Sequence, residues 1–235
     1  MSVEGAAAVR IDALLTGIAL PYTRPGSRSA IAKSPREGLV RIGTRGLEGD
    51  EQGDTRVHGG VEKAVHHYPF DHYAAWRAEL GDLPVLASPG AFGENIASTG
   101  MDEHSVCLGD RYALGSAVLE VSQGRQPCWK LNDRFGVRDM ARRVQDSGRT
   151  GWYYRVLQPG SARAGDVIAL LERPWPDWPL RRLTRLLAER VLEPDQLREA
   201  LALPLVASWR TVLERRLASR QVEDWGRRID GPPAE

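Results

Sequence analysis

Short apolar runs separated by glycine-rich turns dominate the chain from about residue 9 to 172. The runs are about four to eight residues long and rich in β-branched side chains, which predicts strands rather than helices. They are VRIDALLTGIAL, GLVRIG, KAVHHYP, SVCLGDRYALGSAVLEVSQ and GDVIALLE. Many short strands with little helix predict a mostly β fold that forms a barrel or a folded sheet.

Two segments inside this region have helical periodicity instead. In PFDHYAAWRAEL, Tyr73, Trp76 and Leu80 recur on one face and Gly81 follows as a stop signal. In VRDMARRVQDSG, apolar residues again share one face, and Gly148 ends the pattern. We therefore expect two helices inserted in the β domain.

The stretch RPWPDWP, residues 173–179, has three prolines and predicts a linker. Beyond it the periodicity becomes helical, and three amphipathic segments predict a small three-helix bundle. The predicted domains are therefore a β domain at 1–172 and a helical domain at 180–235. The change of periodicity at the linker predicts that the β domain folds without the helices.

Composition narrows the function classes. The chain has 235 residues, 42% of them hydrophobic and 27% charged, which is typical of a globular protein with one good core. The formal net charge of +1 favours neither nucleic acid nor an anionic membrane as the partner. Residues 180–235 carry eleven arginines and nine acidic residues, too balanced for a DNA-binding helical domain.

The N-terminal apolar stretch is interrupted by Arg10 and Asp12 and lacks a cationic leader, and no apolar run reaches the length of a membrane span. We expect a cytoplasmic protein without a membrane partner. Its two cysteines are then expected to be free rather than bridged, and they are too few to hold an iron–sulfur cluster.

Polar residues concentrate in four segments at strand ends or glycine turns: RSAIAK, GLEGDEQGDTRVHGGVEKAVHHY, GAFGENI and VSQGRQPCWKLN. Such positions are where a rigid scaffold presents binding groups. Within them, His58 is followed by Gly59 and Gly60, which allow a ligand to approach the backbone closely. The imidazole and the glycine N–H groups would suit a phosphate or a pterin edge, although a tight turn with an exposed histidine explains the same residues.

A metal site is a second interpretation of this region, because His58, His66, His67 and His72 lie close together in the sequence near Asp54. Zinc ligands on one element usually lie three or four residues apart. His66 and His67 are adjacent and would face opposite sides of a strand. Packing of strand and helix histidines is the simpler hypothesis, with a zinc hydrolase as the weaker functional alternative.

Cys128 follows Pro127, so the direction of its side chain is well fixed. Arg125 and Lys130 flank it, and nearby cations stabilise a thiolate, the form that acts as metal ligand or nucleophile. A small buried hydrophobic residue is the alternative for any cysteine. Cys107, in the apolar run SVCLG, fits that alternative well.

Taken together and in order, the motifs resemble the MOSC domain family, named from the C-terminal domain of molybdenum-cofactor sulfurases. The resemblance is carried by GLEGDEQ, HGGVEKAVHHYP, FGENI, CLGDRYALGSAVLEVSQGRQPCWKLN and GWYYRVLQPGSARAGDVIAL. The tail SWRTVLERRLASRQVEDWGRRI is similar to the three-helix segment of the bacterial YiiM-type branch. The likeness covers nearly the whole chain.

The resemblance implies a barrel-like MOSC fold that holds a molybdopterin-type molybdenum cofactor, with Cys128 as the protein ligand to molybdenum. A thiolate is a suitable donor to such a metal. It also implies a set of residues around the pterin, its phosphate and the substrate opening: Lys33, Arg45, His58, Asn95, Arg125 and Asn132. The family pattern QPR-x-PC appears here with Gly124 in place of the proline, which keeps the spacing from Arg125 to Cys128.

The implied activity is reduction of N-hydroxylated compounds, such as N-hydroxylated purines. His58 and Asp54 are the expected proton donors, because imidazole and carboxylate groups can titrate near neutrality when perturbed. Since the chain has only two cysteines and no GxGxxG turn, we expect a separate reductase to supply electrons. The alternative is a non-catalytic carrier of the cofactor or of sulfur. The sequence predicts nothing about oligomeric state.

Overall fold

The computed structural model describes residues 8–54 and 58–232. Its strands are β1 (Ala8–Thr16), β2 (Leu20–Pro21), β3 (Arg28–Ser29), β4 (Ser34–Pro35), β5 (Val40–Gly43), β6 (Gly46–Leu47), β7 (Val65–Pro69), β8 (Ile96–Ser98), β9 (Arg111–Leu114), β10 (Ala117–Gly124), β11 (Trp152–Gln158), β12 (Gly160–Ala162) and β13 (Val167–Glu172). Its α-helices are α1 (His72–Leu80), α2 (Lys130–Phe135), α3 (Met140–Ser147), α4 (Leu180–Ala188), α5 (Pro194–Leu201), α6 (Ala207–Ser219) and α7 (Gly226–Ile229). Short 3₁₀ turns span Val61–Lys63 and Pro84–Leu86.

Seven strands form a closed barrel in the order β13-β9-β10-β11-β7-β8-β1, and pairing of β1 with β13 completes the ring. All neighbours are antiparallel except β7 and β8, which run parallel. Closure removes the unpaired edges that an open sheet of short strands would expose. The predicted barrel-like fold with inserted helices is confirmed.

The barrel interior contains the apolar side of each alternating strand, with Leu14, Leu119 and Tyr154 fully buried. A second core, formed by Tyr68, Trp76 and other aromatic and aliphatic residues, packs α1 and α3 against one side of the barrel. Both inserted helices were predicted, and they begin three residues later than the sequence segments suggested. The six-residue helix α2 was not predicted.

The three predicted C-terminal helices are present as α4, α5 and α6, and they share a core of their own around Leu187, Leu197 and Leu213. This domain also packs closely on the barrel. Leu180, the first residue of α4, is completely buried within the barrel core. A Cβ placed on Gly124 would lie 2.4 Å from Cγ2 of Thr184, so α4 sits directly on the end of β10.

Residues 173–179 also make specific contacts with the β domain. The N–H of Leu108 donates to the carbonyl of Trp178 at 3.1 Å, and Cys107 forms a β-bridge with Pro179. The side chain of Trp178 is itself buried. The division at 173–179 stays a prediction, but these contacts change what we expect from removing the helices.

Deletion of residues 180–235 is expected to produce an aggregation-prone β domain, because it exposes the surface that α4 covers and removes Leu180 from the core. A matched variant, Leu180→Ala in the full chain, should lose about 2–5 kcal/mol of unfolding free energy in urea titrations. A monomeric truncated protein with a cooperative unfolding transition would contradict this expectation.

His67 lies inside the barrel and shows how firmly the interior excludes charge. Its Nδ1 is 3.1 Å from the hydroxyl of Tyr154 and its Nε2 is 2.8 Å from Oγ of Ser98. Its ring packs on Trp152 with the ring centroids 4.5 Å apart. Burial lowers the pKa of His67 to about 3, so the imidazole is neutral in the native protein.

A neutral native histidine makes stability depend on pH. In the unfolded chain His67 takes up a proton below its ordinary pKa of about 6.5, so its contribution to stability is lost as pH falls through that value. Between about pH 7 and pH 5, the wild type should lose about 2 kcal/mol more unfolding free energy than His67→Gln. If urea unfolding gave the same change of unfolding free energy with pH for both proteins, the pKa of His67 would be unshifted in the native protein and the prediction would be wrong.

Candidate active site

One pocket lies where the end of β10 meets the turns before β7 and β8. It holds about 610 Å³ of space, counting the solvent at its mouth. We call it the Cys128 pocket. Its lining residues are Ser29, Ala30, Ile31, Lys33, Asp50, Glu51, Gln52, Gly53, His58, Gly59, Lys63, His66, Phe92, Gly93, Asn95, Arg125, Cys128, Lys130 and Tyr153.

The cysteine is positioned by the change from strand to helix. The register between β10 and β11 shifts between Val121 and Gln123, which turns the end of β10 toward the pocket. Four residues after β10 ends, the carbonyl of Cys128 accepts a hydrogen bond from the N–H of Leu131 at 3.0 Å, in the first turn leading into α2. Cys128 is half-buried, and its Sγ lies 3.6 Å from Nε2 of His58.

His58 is followed by two glycines in left-handed backbone conformations, with φ of +83° at Gly59 and +85° at Gly60. Burial, with the positive charges of Lys130 and Lys63 next in importance, lowers the pKa of His58 to about 4. The imidazole is therefore neutral at pH 7 and can donate or accept a hydrogen bond. Desolvation and the nearby cations act in the same direction on this pKa, and the role of His58 as a proton donor stays a prediction.

All three lysines of the chain, Lys33, Lys63 and Lys130, line the Cys128 pocket, whereas every other Lys or Arg position in the chain is arginine. Burial lowers the pKa of each of these ammonium groups. Lysine is a compact point charge, whereas arginine is a planar fork that requires more room. The rarity of lysine is a sequence signal that could have located this pocket.

Lys33 and Asn95 meet at Asp50. The ammonium of Lys33 donates to Asp50 in an ion pair whose two side chains are 7% and 2% exposed. Asn95 donates to the other oxygen of Asp50 at 2.8 Å, and its own carbonyl accepts the N–H of His66 at 3.0 Å. Both predicted residues thus line the pocket, and Asp50, which was not predicted, holds them together.

Arg125 is 6% exposed, and its Nη2 donates to the carbonyl of Phe92 at a long 3.4 Å. Its Nη1 is buried and has no hydrogen-bond partner among residues 8–54 and 58–232, and the same is true of Nδ1 of His58. Buried donors and acceptors are normally paired. These two atoms identify places on the pocket wall where a polar ligand would satisfy the protein.

Two residues implied by the resemblance lie outside the pocket lining. Arg45 is exposed in the turn between β5 and β6. Asn132 is buried in α2, where it accepts the N–H of Ala141 at 2.7 Å and donates to the carbonyl of Ile229 at 2.9 Å. Asp54, a predicted proton donor, also lies outside the lining, and its negative charge acts on both His58 and Lys130.

The histidines do not converge on one centre. His66 faces the Cys128 pocket, while His67, next to it on β7, faces the barrel interior, as the strand alternation predicted. His72 pairs with Glu103 at 2.7 Å. Across the described part of the chain, no group of three or more His, Cys, Asp or Glu side chains is arranged to hold a metal ion.

Comparisons with protein-family models and with known proteins give the family of this chain. The family model described as "MOSC domain" matches residues 54–169, and "YiiM-like, 3-alpha helix domain" matches residues 178–220. The chain is 37% identical over 207 residues to "Protein YiiM" of Escherichia coli (strain K12), covering 88% of this chain and 92% of that protein. The chain belongs to the MOSC family. Among the described residues, no helix is long and apolar enough to cross a membrane.

Two further similarities extend the MOSC assignment. A protein of Gibberella moniliformis (strain M3125 / FGSC 7600) named "Reductase" is 43% identical over 192 residues, which are 81% of this chain and 34% of that protein. This MOSC chain therefore spans about a third of the length of that relative. The crystal structure of YiiM from Escherichia coli superposes with a TM-score of 0.78 at 29% identity, covering 94% of this chain and 98% of that one.

The ion pair between Lys33 and Asp50 gives a stability prediction for the site. Lys33→Met should lower the unfolding free energy by about 3 kcal/mol, because a buried carboxylate loses its countercharge while Gly17 and Asn95 still donate to it. Arg198→Met breaks an exposed pair with Asp195 and should cost less than about 1 kcal/mol. Adding Asp50→Asn to Lys33→Met should recover most of the loss. Equal effects of the two single variants in urea unfolding would contradict the prediction.

Proposed function

We propose that this MOSC protein is a molybdenum-cofactor-dependent reductase of N-hydroxylated compounds, such as N-hydroxylated purine bases, with Cys128 as the protein ligand to molybdenum. The observation that carries the proposal is the position of Cys128. Its thiol lies on the wall of a pocket whose cationic groups include Lys33, Lys63, Lys130 and Arg125. The fungal relative named "Reductase" supports an oxidoreductase.

The residues present fit an anionic pterin cofactor. Lysine and arginine groups complement a phosphate, and a thiolate is a soft donor to a transition metal. Arg125 Nη1 and His58 Nδ1 are buried without a partner within the described ranges, so both can bind polar groups of a ligand. Gly59 and Gly60, with their positive φ values, let the backbone approach such a ligand without side chains between them.

When bound, the cofactor supplies the two-electron chemistry at molybdenum. The chain would bind and orient the cofactor: Lys33, Lys130 and Arg125 would hold its anionic part, and the backbone at Cys128 would set the direction of the sulfur ligand. His58, neutral at pH 7 and 3.6 Å from the sulfur, orients it by a hydrogen bond rather than by charge. Such positioning groups are the contribution that a protein makes to cofactor chemistry.

The overall reaction consumes two electrons and two protons, breaks the N–O bond and releases the oxygen as water. The pocket can store those protons on ammonium groups, because burial makes Lys63 and Lys130 stronger acids than ordinary lysines. The negative charge of Asp54 opposes the effect of burial by raising the pKa of Lys130. We expect a separate reductase to supply the electrons, because two cysteines are too few for an iron–sulfur cluster and the chain has no GxGxxG turn.

Cys128→Ser and Cys107→Ser form the matched test. Cys107 is buried, with Sγ 3.6 Å from the carbonyl of Pro176, and burial raises its pKa to about 11, which agrees with the predicted packing role. Cys128→Ser should fold normally but reduce N-hydroxylated purines only at background rate. Cys107→Ser should keep its activity per folded molecule and lose about 1–3 kcal/mol of unfolding free energy.

The assay uses protein from a host that makes molybdopterin, with molybdenum and pterin content measured for each sample. A chemically reduced viologen should support turnover by the wild type, while NADPH with this protein alone should not. Full activity of Cys128→Ser with stoichiometric molybdenum would refute the ligand assignment. A wild type that binds the cofactor without turnover would instead support the carrier alternative.

A further inference from the structure

The C-terminal segment 225–232 lies beyond residue 220, where the matched three-helix domain ends, and returns to the cysteine loop. Its four-residue helix α7 contains Arg228, which is half-buried, and Ile229, which is 1% exposed. Arg228 donates through Nη2 to Oε1 of Gln145 at 2.6 Å, so its guanidinium is fixed against α3. The segment is therefore a docked part of the fold.

Arg228 contacts the backbone on both sides of Cys128. Its Nη1 donates to the carbonyl of Pro127 at 2.6 Å, which is the peptide group before the cysteine. Its own carbonyl accepts the N–H of Trp129 at 2.8 Å, which is the peptide group after the cysteine. A single residue thus restrains both peptide planes from which the Cys128 side chain projects.

Contacts made by the residues after Arg228 hold the C-terminal segment against the cysteine loop. Asn132 donates to the carbonyl of Ile229 at 2.9 Å, and Arg24 donates to the carbonyl of Asp230 at 2.8 Å. Gly231 has φ of +80°, and a Cβ there would lie 2.6 Å from Cγ of Trp129. Successive carbonyls of the segment are thus held by donors from the β domain, and the close approach at Trp129 requires glycine.

We propose that the segment 225–232 completes the active site, with Arg228 as the positioning residue that sets the direction of Cys128. The relevance to catalysis rests on the proposed function. Pro127 restricts its own φ and the N–H of Leu131 holds the carbonyl of Cys128, but the carbonyl before the cysteine and the N–H of Trp129 need further partners. Arg228 bonds both of them. The direction of the cysteine then depends on a residue 100 positions later in the chain.

The proposal is tested with Arg228→Met, Arg228→Lys and, as the matched control, Arg227→Met, which changes an exposed arginine in the same helix. The first readout is hydrogen–deuterium exchange of peptides covering 126–132, compared with peptides from β10 and β11. Arg228→Met should speed exchange in the loop by about tenfold, as expected for loss of a charge-assisted hydrogen bond, and leave the strands unchanged. Arg228→Lys, which keeps the charge but has one donor nitrogen in place of the two that Arg228 uses, should fall between, and Arg227→Met should match the wild type.

A second variant tests docking without changing charge. In Gly231→Ala the new Cβ would clash with Trp129 and the positive φ would be strained, so the segment should move away from Trp129. Exchange in the loop should then increase locally, as is expected for Arg228→Met. Equal acceleration in the loop and the strands would show that Arg228 only stabilises the fold and would overturn the proposal. Wild-type exchange in Arg228→Met would overturn it as well.

The third readout uses protein from the molybdopterin-producing host. Arg228→Met should retain less molybdenum than Arg227→Met, and the number of sulfur neighbours of the metal by X-ray absorption should fall by one in what remains. Its kcat should fall more than its KM changes. Failure of the wild type to bind molybdenum would refute the proposed function alone, because the exchange measurements on metal-free protein still decide the positioning role. Unchanged metal content and ligation in a variant with a loosened loop would overturn the positioning of the thiolate.

Discussion

The end of β10 is the point on which the rest of the molecule depends. β10 pairs with β9 over residues 117–120 and with β11 as far as Gly124, so its last residue is held by β11 within a closed ring. Gly124 ends the strand with no side chain, which lets Thr184 and Trp209 from the helical domain pack directly on it. The chain then runs through Arg125 and Pro127 to Cys128. The packing of the helical domain and the starting point of the cysteine loop therefore both depend on one strand end.

The pocket concentrates positive charge in a partly desolvated space, which is costly for the folded protein. The fold reduces that cost by pairing Lys33 with Asp50, while the imidazole of His58 stays uncharged. Nη1 of Arg125 is left without a partner within residues 8–54 and 58–232. Such an arrangement is less stable than a neutral wall would be, and it is the arrangement that an anionic ligand would stabilise. The buried positive charge that destabilises the protein alone therefore lies where the anionic ligand is proposed to bind.

Sequence pattern was informative where periodicity extends over enough residues. The apolar runs of β1 and β10 and the helical spacing in α1 and α3 are visible because each extends over several residues. The six residues of α2 and the four of α7 are too short to show a period, so both escaped prediction. Cys128 stood out because proline and two cations surround it in sequence. Asp50 and Tyr153 had no such local signal, since only the fold brings them to the pocket.

Asn132 shows why position in a motif and position in space differ. Four residues from Cys128 in sequence, it was expected near the pterin, but the first turn of α2 directs it away from the pocket to Ala141 and Ile229. Those bonds connect α2, the start of α3 and the C-terminal segment. A residue in that place supports the loop that carries Cys128 without lining the pocket. Asn132, Gln145 and Arg228 belong to the same support, because Asn132 bonds Ile229, Gln145 bonds Arg228, and Arg228 bonds the peptides beside the cysteine.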